Sequence, residues 1–165
     1  MPDSTAHLAP AARFGADIPV TLSSSSVFPL GTQDVFATAE DLGVDTAGMA
    51  LVDSSGLSPD NRVSAGQLAG VVAGVARTPA LATVLEGLPR PGEDSTLGDR
   101  FPDAPARQAV AAKTGTLDQT VSLTGTVTTT SGRVLAFSII CSDLQWKLEP
   151  ARAAVDEAVS AVAGL

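Results

Sequence analysis

The alternation of apolar and polar residues is strongest in the last third of the chain. Residues 121–128 alternate between an apolar or glycine set and a hydroxyl set, Val121, Leu123, Gly125 and Val127 against Ser122, Thr124, Thr126 and Thr128. This period of two predicts a half-buried strand. A strand is also predicted over 108–113, and Ser131-Gly132 forms a tight turn into the apolar strand 134–141. The pattern therefore predicts three adjacent antiparallel strands, with a further short buried strand at 48–52.

Helical spacing of apolar residues appears in the other parts of the chain. The first predicted helix covers about 33–42, with Thr32 as its cap and Gly43 as its end. Ser64 and Gln67 form a capping box that begins a helix ending near residue 77. Two further segments show the same spacing, 81–85 and 150–162, and we expect the second to cover the sheet.

These elements together predict an α+β fold in which helices cover an antiparallel sheet. Residues 1–31 have four prolines, the serine run 23–26 and no sustained period, so they are predicted to be an irregular N-terminal segment. Residues 32–165 are then one domain, which is a reasonable size for a single core. The proline-rich stretch 89–105 is predicted to be a surface loop.

Composition and charge exclude several classes of partner and cofactor. A net charge of −8 repels phosphate, so nucleic acid is not an expected partner. The chain contains one cysteine, Cys141, and one histidine, His7, which is too few for a zinc site; no metal or cofactor is expected. No run of about 20 apolar residues occurs, and the first residues lack the pattern of a signal peptide, so we expect neither a membrane span nor a signal peptide. A chain made alone as written is therefore expected in the cytoplasm.

The residues that carry chemistry lie at the end of the predicted strand 108–113. Lys113, one of only two lysines, is followed by Thr114, Gly115 and Thr116. An ammonium group with neighbouring hydroxyls suits a carboxylate ligand, and glycine leaves room for a peptide along the strand. A phosphate-binding loop would need glycine at two positions occupied by Arg107 and Ala112, so it is excluded. The alternative is a strand-end lysine that points into solvent.

Four segments in order carry a resemblance to a known family. They are 53–58 (Asp-Ser-Ser-Gly-Leu-Ser), 88–97 (Leu-Pro through Gly-Glu-Asp-Ser-Thr-Leu), 112–117 (Ala-Lys-Thr-Gly-Thr-Leu) and 123–133 (Leu-Thr-Gly through Ser-Gly-Arg). Over about residues 33–163 the chain resembles the C-terminal portion of the penicillin-binding serine D-Ala-D-Ala carboxypeptidase and endopeptidase family. Ser95 stands where this family usually has glycine.

The resemblance implies a partial β-lactamase or transpeptidase-like fold and a role for each residue of the motif. Lys113 is the implied electrostatic catalyst, and Thr114, Gly115 and Thr116 are the implied contacts to substrate. The implied ligands are a peptidoglycan stem peptide or a β-lactam, and the implied reaction is release of the terminal D-Ala through a serine acyl-enzyme. Members of this family act outside the cytoplasm.

The sequence departs from the family at the nucleophile. No Ser-x-x-Lys is present, because the residues three positions before the two lysines are Val110 and Leu144. Ser-x-Asn is also absent, because the residue two positions before Asn61 is Pro59. We therefore expect a truncated and inactive member. The alternative is a non-catalytic peptide-binding module, or a subunit that complements an N-terminal half. Cys141 is expected to be a small buried residue and Trp146 to pack in the core.

Overall fold

The chain is described by a computed structural model, in which residues 27–102 and 105–165 are described. Its regular elements, in chain order, are α1 (Val27–Asp41), α2 (Ala65–Arg77), a 3-10 turn (Pro79–Leu81), α3 (Ala82–Glu86), α4 (Ala106–Ala109), β1 (Val110–Leu117), β2 (Thr120–Thr128), β3 (Val134–Cys141) and α5 (Leu148–Ala163). The fold is therefore α+β, as the sequence predicted.

The three strands form one antiparallel sheet in the order β1-β2-β3. Lys113 of β1 lies opposite Thr124 of β2, and Thr124 lies opposite Ser138 of β3. The apolar set of β2 is fully buried, whereas its hydroxyl set is mostly half-buried. The predicted period-two strand, its pairing and the turn that follows it are confirmed.

Helices cover both faces of this sheet. Val155 and Val159 of α5 pack with the apolar set of β2 in the main core cluster. Helix α2 contacts β3 and, to a lesser extent, β2. No residue of α2 belongs to the cluster beneath α5, so we place α2 on the opposite face of the sheet. The predicted role of the last helix is confirmed.

The four predicted helices are present, the short helix α4 was not predicted, and the first helix begins earlier than predicted. The capping box is present, since Gln67 N donates to Ser64 Oγ and Ser64 N donates to Gln67 Oε1. Helix α1 begins at Val27 and not near residue 33, so Thr32 is a buried residue within the helix and not its cap. Pro29 does not prevent this early start, because first-turn amides of a helix need no helical acceptor.

Two predicted strands are wrong in position or kind. β1 runs over Val110–Leu117 and not 108–113, because residues 106–109 form the short helix α4. The run 48–52 forms only an isolated bridge between Ala50 and Arg62. Single-sequence patterns place element ends poorly, because the end is set by tertiary contacts.

The structure also tests the predictions made for Trp146 and Cys141. Trp146 is 70% exposed, so the prediction of core packing is wrong. It lies in the connection between β3 and α5, where Asp143, Gln145 and Trp146 all have positive φ. Cys141 is a partly buried free thiol that packs against the main core.

Some predictions fall on residues that are not described. His7 and the irregular segment, as far as residue 26, lie outside the described residues. Among the described residues, no single helix is long and apolar enough to cross a membrane; α2 and the turn-helix 79–86 pass such a test only as a pair bent by 107°.

Candidate functional site

Lys113, Thr114, Gly115 and Thr116 lie together on β1, which is an edge strand among the described residues. Lys113 is the fourth of eight residues in β1 and not at its end as predicted, because the strand continues through the motif to Leu117. The side chain of Lys113 is exposed and that of Thr114 is half-buried. The motif therefore lies mostly in the second half of a strand with one open side.

The backbone of the motif alternates between the neighbouring strand and this open side. Ala112 N donates to Pro89 O at 3.0 Å, so the Ala112 amide points away from β2. Residues two apart in a strand direct their backbone groups the same way. The amides and carbonyls of Thr114 and Thr116 therefore point outward as well, where a second peptide could pair with them.

The ammonium of Lys113 lies at the same edge. Lys113 Nζ donates to the outward carbonyl of Thr114 at 2.6 Å. In residues 27–102 and 105–165 it forms no ion pair, since the two salt bridges there involve only arginines. A cation that is held at a strand edge without an acidic partner can accept a ligand carboxylate.

The motif residues use both faces of the sheet around that edge. Lys113 and Gly115 share one face, and Thr114 and Thr116 share the other, because side chains alternate along a strand. A Cβ on Gly115 would lie 2.3 Å from Ser122 Oγ on β2. Glycine here therefore also accommodates the neighbouring strand, which the sequence did not predict.

A polar cavity of about 410 Å³ adjoins the threonines of the motif. Its lining comprises Ser95, Thr96, Gly98, Asp99, Arg100, Thr114, Thr116 and Arg152. Both arginines have acidic partners on α5: Arg100 Nε donates to Asp156 at 3.0 and 3.1 Å, and Arg152 pairs with Glu149 at 2.6 Å. The cavity thus joins the loop before β1, the motif strand and α5.

The loop that lines this cavity, residues 89–101, is closed by its own hydrogen bonds. Gly92 N donates to Gly98 O at 3.1 Å. Ser95 Oγ donates to Arg90 O at 3.1 Å and accepts from Leu97 N at 3.2 Å. The hydroxyl of Ser95 therefore stabilises the turn at the position where the resembled family usually has glycine.

The loop 53–61, another segment of the resemblance, is organised by one carboxylate. Asp53 Oδ1 accepts from Gly56 N at 2.8 Å and from Asn61 Nδ2 at 3.2 Å, and Asp53 Oδ2 accepts from Ser58 N at 2.8 Å. The bond from Asn61 is the main reason that the pKa of Asp53 is below its ordinary value; the Gly56 and Ser58 amides add to this, and desolvation opposes it. The hydrogen bonds to Asp53 thus give the segment 53–61 a structural role, which is to hold the loop in its turn.

Sequence reasoning missed Pro89, Arg100, Asp156 and Arg152 as neighbours of the motif. Arg100 and Asp156 are 56 residues apart, and a single sequence carries no signal for that pairing. Pro89 was noted only as part of the resembled segment 88–97. Its carbonyl contact with Ala112 depends on how the loop folds back on β1.

Comparison with known proteins gives a consistent result. The model of the D-Ala-D-Ala carboxypeptidase 3 (S13) family matches residues 11–162, which extends further towards the N-terminus than the motifs. Carboxypeptidase Rv3627c of Mycobacterium tuberculosis is 41% identical over 135 residues, which are 78% of this chain and 29% of that protein. Carboxypeptidase DacB of Mycolicibacterium smegmatis is 44% identical over 115 residues, 66% of this chain and 25% of that protein.

The fold is also shared with a solved penicillin-binding protein. The structure of penicillin binding protein 4 (dacB) of Haemophilus influenzae matches with a TM-score of 0.69 and 29% identity, covering 79% of this chain and 30% of that one. The chain thus spans between a quarter and a third of the length of these relatives. Together the family match and the shared fold show that this chain belongs to the D-Ala-D-Ala carboxypeptidase 3 (S13) family.

Proposed function

We propose that β1 of this chain is the substrate-binding strand of a serine D-Ala-D-Ala carboxypeptidase. The observation that supports this most directly is the outward edge of Thr114 to Thr116 with the Lys113 ammonium beside it. A peptidoglycan stem peptide would pair with the outward backbone groups of Thr114 and Thr116. Its terminal carboxylate would then accept from the ammonium of Lys113 and from a motif hydroxyl.

The same edge suits a β-lactam. The Haemophilus influenzae penicillin binding protein 4 has a structure complexed with a novel β-lactam, and it matches this chain at 30% identity with a TM-score of 0.68. A β-lactam carries a carboxylate next to an amide, which resembles the end of a D-Ala-D-Ala peptide. We therefore propose both as ligands of the motif strand.

The acyl-transfer step needs groups that the 165 residues do not encode. Release of D-Ala requires a serine oxygen to attack the peptide carbonyl, with a lysine within reach to take its proton. No Ser-x-x-Lys occurs in the sequence. We propose that this chain is catalytically inactive by itself, and that hydrolysis requires a complementing N-terminal half that supplies the nucleophile.

A second proposed function is a non-catalytic peptide-binding module. This function rests on the same open edge of β1. It differs from the first proposal only because peptide binding needs no complementing N-terminal half. Reconstitution separates the two: a chain that gains hydrolysis when mixed with the N-terminal half of a relative is a subunit of an enzyme.

The binding proposal is tested by titrating the chain with diacetyl-L-Lys-D-Ala-D-Ala and following backbone amides by NMR. We expect shifts at Thr114 and Thr116, and none with the L-Ala-L-Ala analogue. Lys113→Met should weaken binding about 10-fold or more, because a charge-assisted hydrogen bond contributes about 1.5–3 kcal/mol. Lys147→Met, at the other lysine, is the matched control and should bind as the unmodified chain does. Equal affinity of Lys113→Met and the unmodified chain would contradict the proposal.

A further inference from the structure

The outer edge of β1 is divided into a covered part and an open part. At Ala112 the amide is already bonded to Pro89 O at 3.0 Å. At Thr114 and Thr116 the amides point the same way, and no hydrogen bond joins either amide to a described residue outside the sheet. The boundary between the two parts therefore falls between Ala112 and Thr114.

The covering loop is held in place at several points. Its internal bonds, from Gly92 to Gly98 and from Ser95 to Arg90, close it on itself. Leu97 is 0% exposed and Phe101 is 2% exposed, and both belong to the main core cluster. Arg100 ties the end of the loop to Asp156 on α5. The Pro89 carbonyl is thus presented by an anchored segment.

We take a bound peptide to continue the antiparallel pattern of the sheet. A peptide that pairs antiparallel with β1, as β2 does, has its carboxyl end towards Ala112. Its terminal carboxylate meets the Lys113 ammonium, which lies beside the Thr114 carbonyl. One more residue on the carboxyl side would extend the peptide by about 3.3 Å along the strand, towards the position that Pro89 occupies.

We propose that Pro89 and the loop 89–101 act as a stop for the substrate. They limit the motif strand to peptides whose free carboxylate lies at Thr114, and they exclude peptides with further residues on the carboxyl side. This determinant of specificity rests on the proposed binding function of β1. It makes the site selective for a chain end over an internal peptide bond.

Two measurements on the unmodified chain test the stop. Amide hydrogen exchange should be at least 100-fold slower at Ala112 than at Thr114. The Ala112 amide is hydrogen-bonded to Pro89 O, whereas the Thr114 amide has no such partner among the described residues. Diacetyl-L-Lys-D-Ala-D-Ala should bind at least 10-fold more tightly than the same peptide extended by one glycine. Both peptides end in a carboxylate, so charge alone does not separate them.

A variant extends the test to the loop. Pro89→Gly frees the backbone at the contact, and we expect faster exchange at Ala112 together with a smaller difference between the two peptides. The control is Pro102→Gly, because Pro102 is exposed and follows directly after the loop. It should change neither the exchange rate at Ala112 nor the difference in affinity between the two peptides.

The outcomes are distinct. If the unmodified chain binds both peptides equally, or if Ala112 exchanges as fast as Thr114, the stop is overturned while the proposed binding function stands. If neither peptide shifts Thr114 or Thr116, the proposed binding function fails and the stop fails with it.

Discussion

Gly125 of β2 lies so close to Ala112 of β1 that a Cβ on the glycine would be 2.5 Å from the Ala112 Cα. The same Cβ would be 2.1 Å from the Ala111 carbonyl oxygen. These contacts are with backbone, which cannot rotate away. The motif strand β1 can therefore lie this close to β2 only because residue 125 has no side chain.

Gly125→Ala should lower the free energy of unfolding by about 3 kcal/mol or more, because overpacking against backbone forces the strands apart. Urea unfolding measures this. Gly66→Ala is the matched control: its Cβ would meet only Ser64 Oγ at 3.9 Å, and alanine is favoured over glycine in a helix. Gly66→Ala should thus leave stability unchanged or raise it. A loss below 1 kcal/mol for Gly125→Ala would show that the sheet adapts.

Asp156→Ala should cost about 2–3 kcal/mol of stability, since it leaves the guanidinium of Arg100 partly buried without its partner. The two side chains are 11% and 22% exposed. Glu149→Ala, on the same helix, removes the partner of Arg152, and its own side chain is 78% exposed. That variant should cost under about 1 kcal/mol. If urea unfolding shows equal losses of stability for the two variants, the Arg100–Asp156 pair does not stabilise the fold more than the exposed Arg152–Glu149 pair.

Asp53 should titrate below the ordinary aspartate pKa in carboxyl NMR, and Asn61→Ala should raise its pKa, since the Asn61 amide is the main cause of the depression. A lowered folded pKa stabilises the fold above the unfolded pKa, and this stability is lost as pH falls through the folded pKa. The stability difference between the chain and Asp53→Asn should therefore be present near neutral pH, begin to fall below about pH 4, and vanish below the lowered pKa of Asp53. An unchanged Asp53 titration in Asn61→Ala would contradict this.

The purified chain should form no covalent adduct with a fluorescent penicillin. Acylation needs an activated serine, and no Ser-x-x-Lys is encoded. Labelled protein on a denaturing gel is the measurement, with a full-length penicillin-binding protein as the positive control. A labelled band that disappears when the chain is denatured before labelling would overturn the expected inactivity.

Trp146 should be accessible to solvent in the native chain. It is the only tryptophan, so its fluorescence reports on this position alone. We expect iodide to quench the native and the unfolded chain to a similar extent, because the side chain is 70% exposed. Strong protection in the native chain would place the ring in an interface instead.

The sequence by itself determined the elements whose pattern is local. Strand β2 was predictable because its side chains alternate between a buried face and a half-buried face, and α2 because the Ser64–Gln67 capping box acts within one turn. The motif was identified for a similar reason, since Lys113 to Thr116 are contiguous and their chemistry does not depend on distant residues. The order of the strands followed from their short connections.

Only the tertiary structure decided which residues surround the motif. The contacts of Pro89 with Ala112 and of Arg100 with Asp156 join positions that are 23 and 56 residues apart, and their formation depends on the path of an irregular loop. The exposure of Trp146 likewise depends on positive φ angles that its residue type does not favour. Long-range contacts and unusual backbone angles are set by the whole fold, because their cost is met by packing elsewhere in the chain.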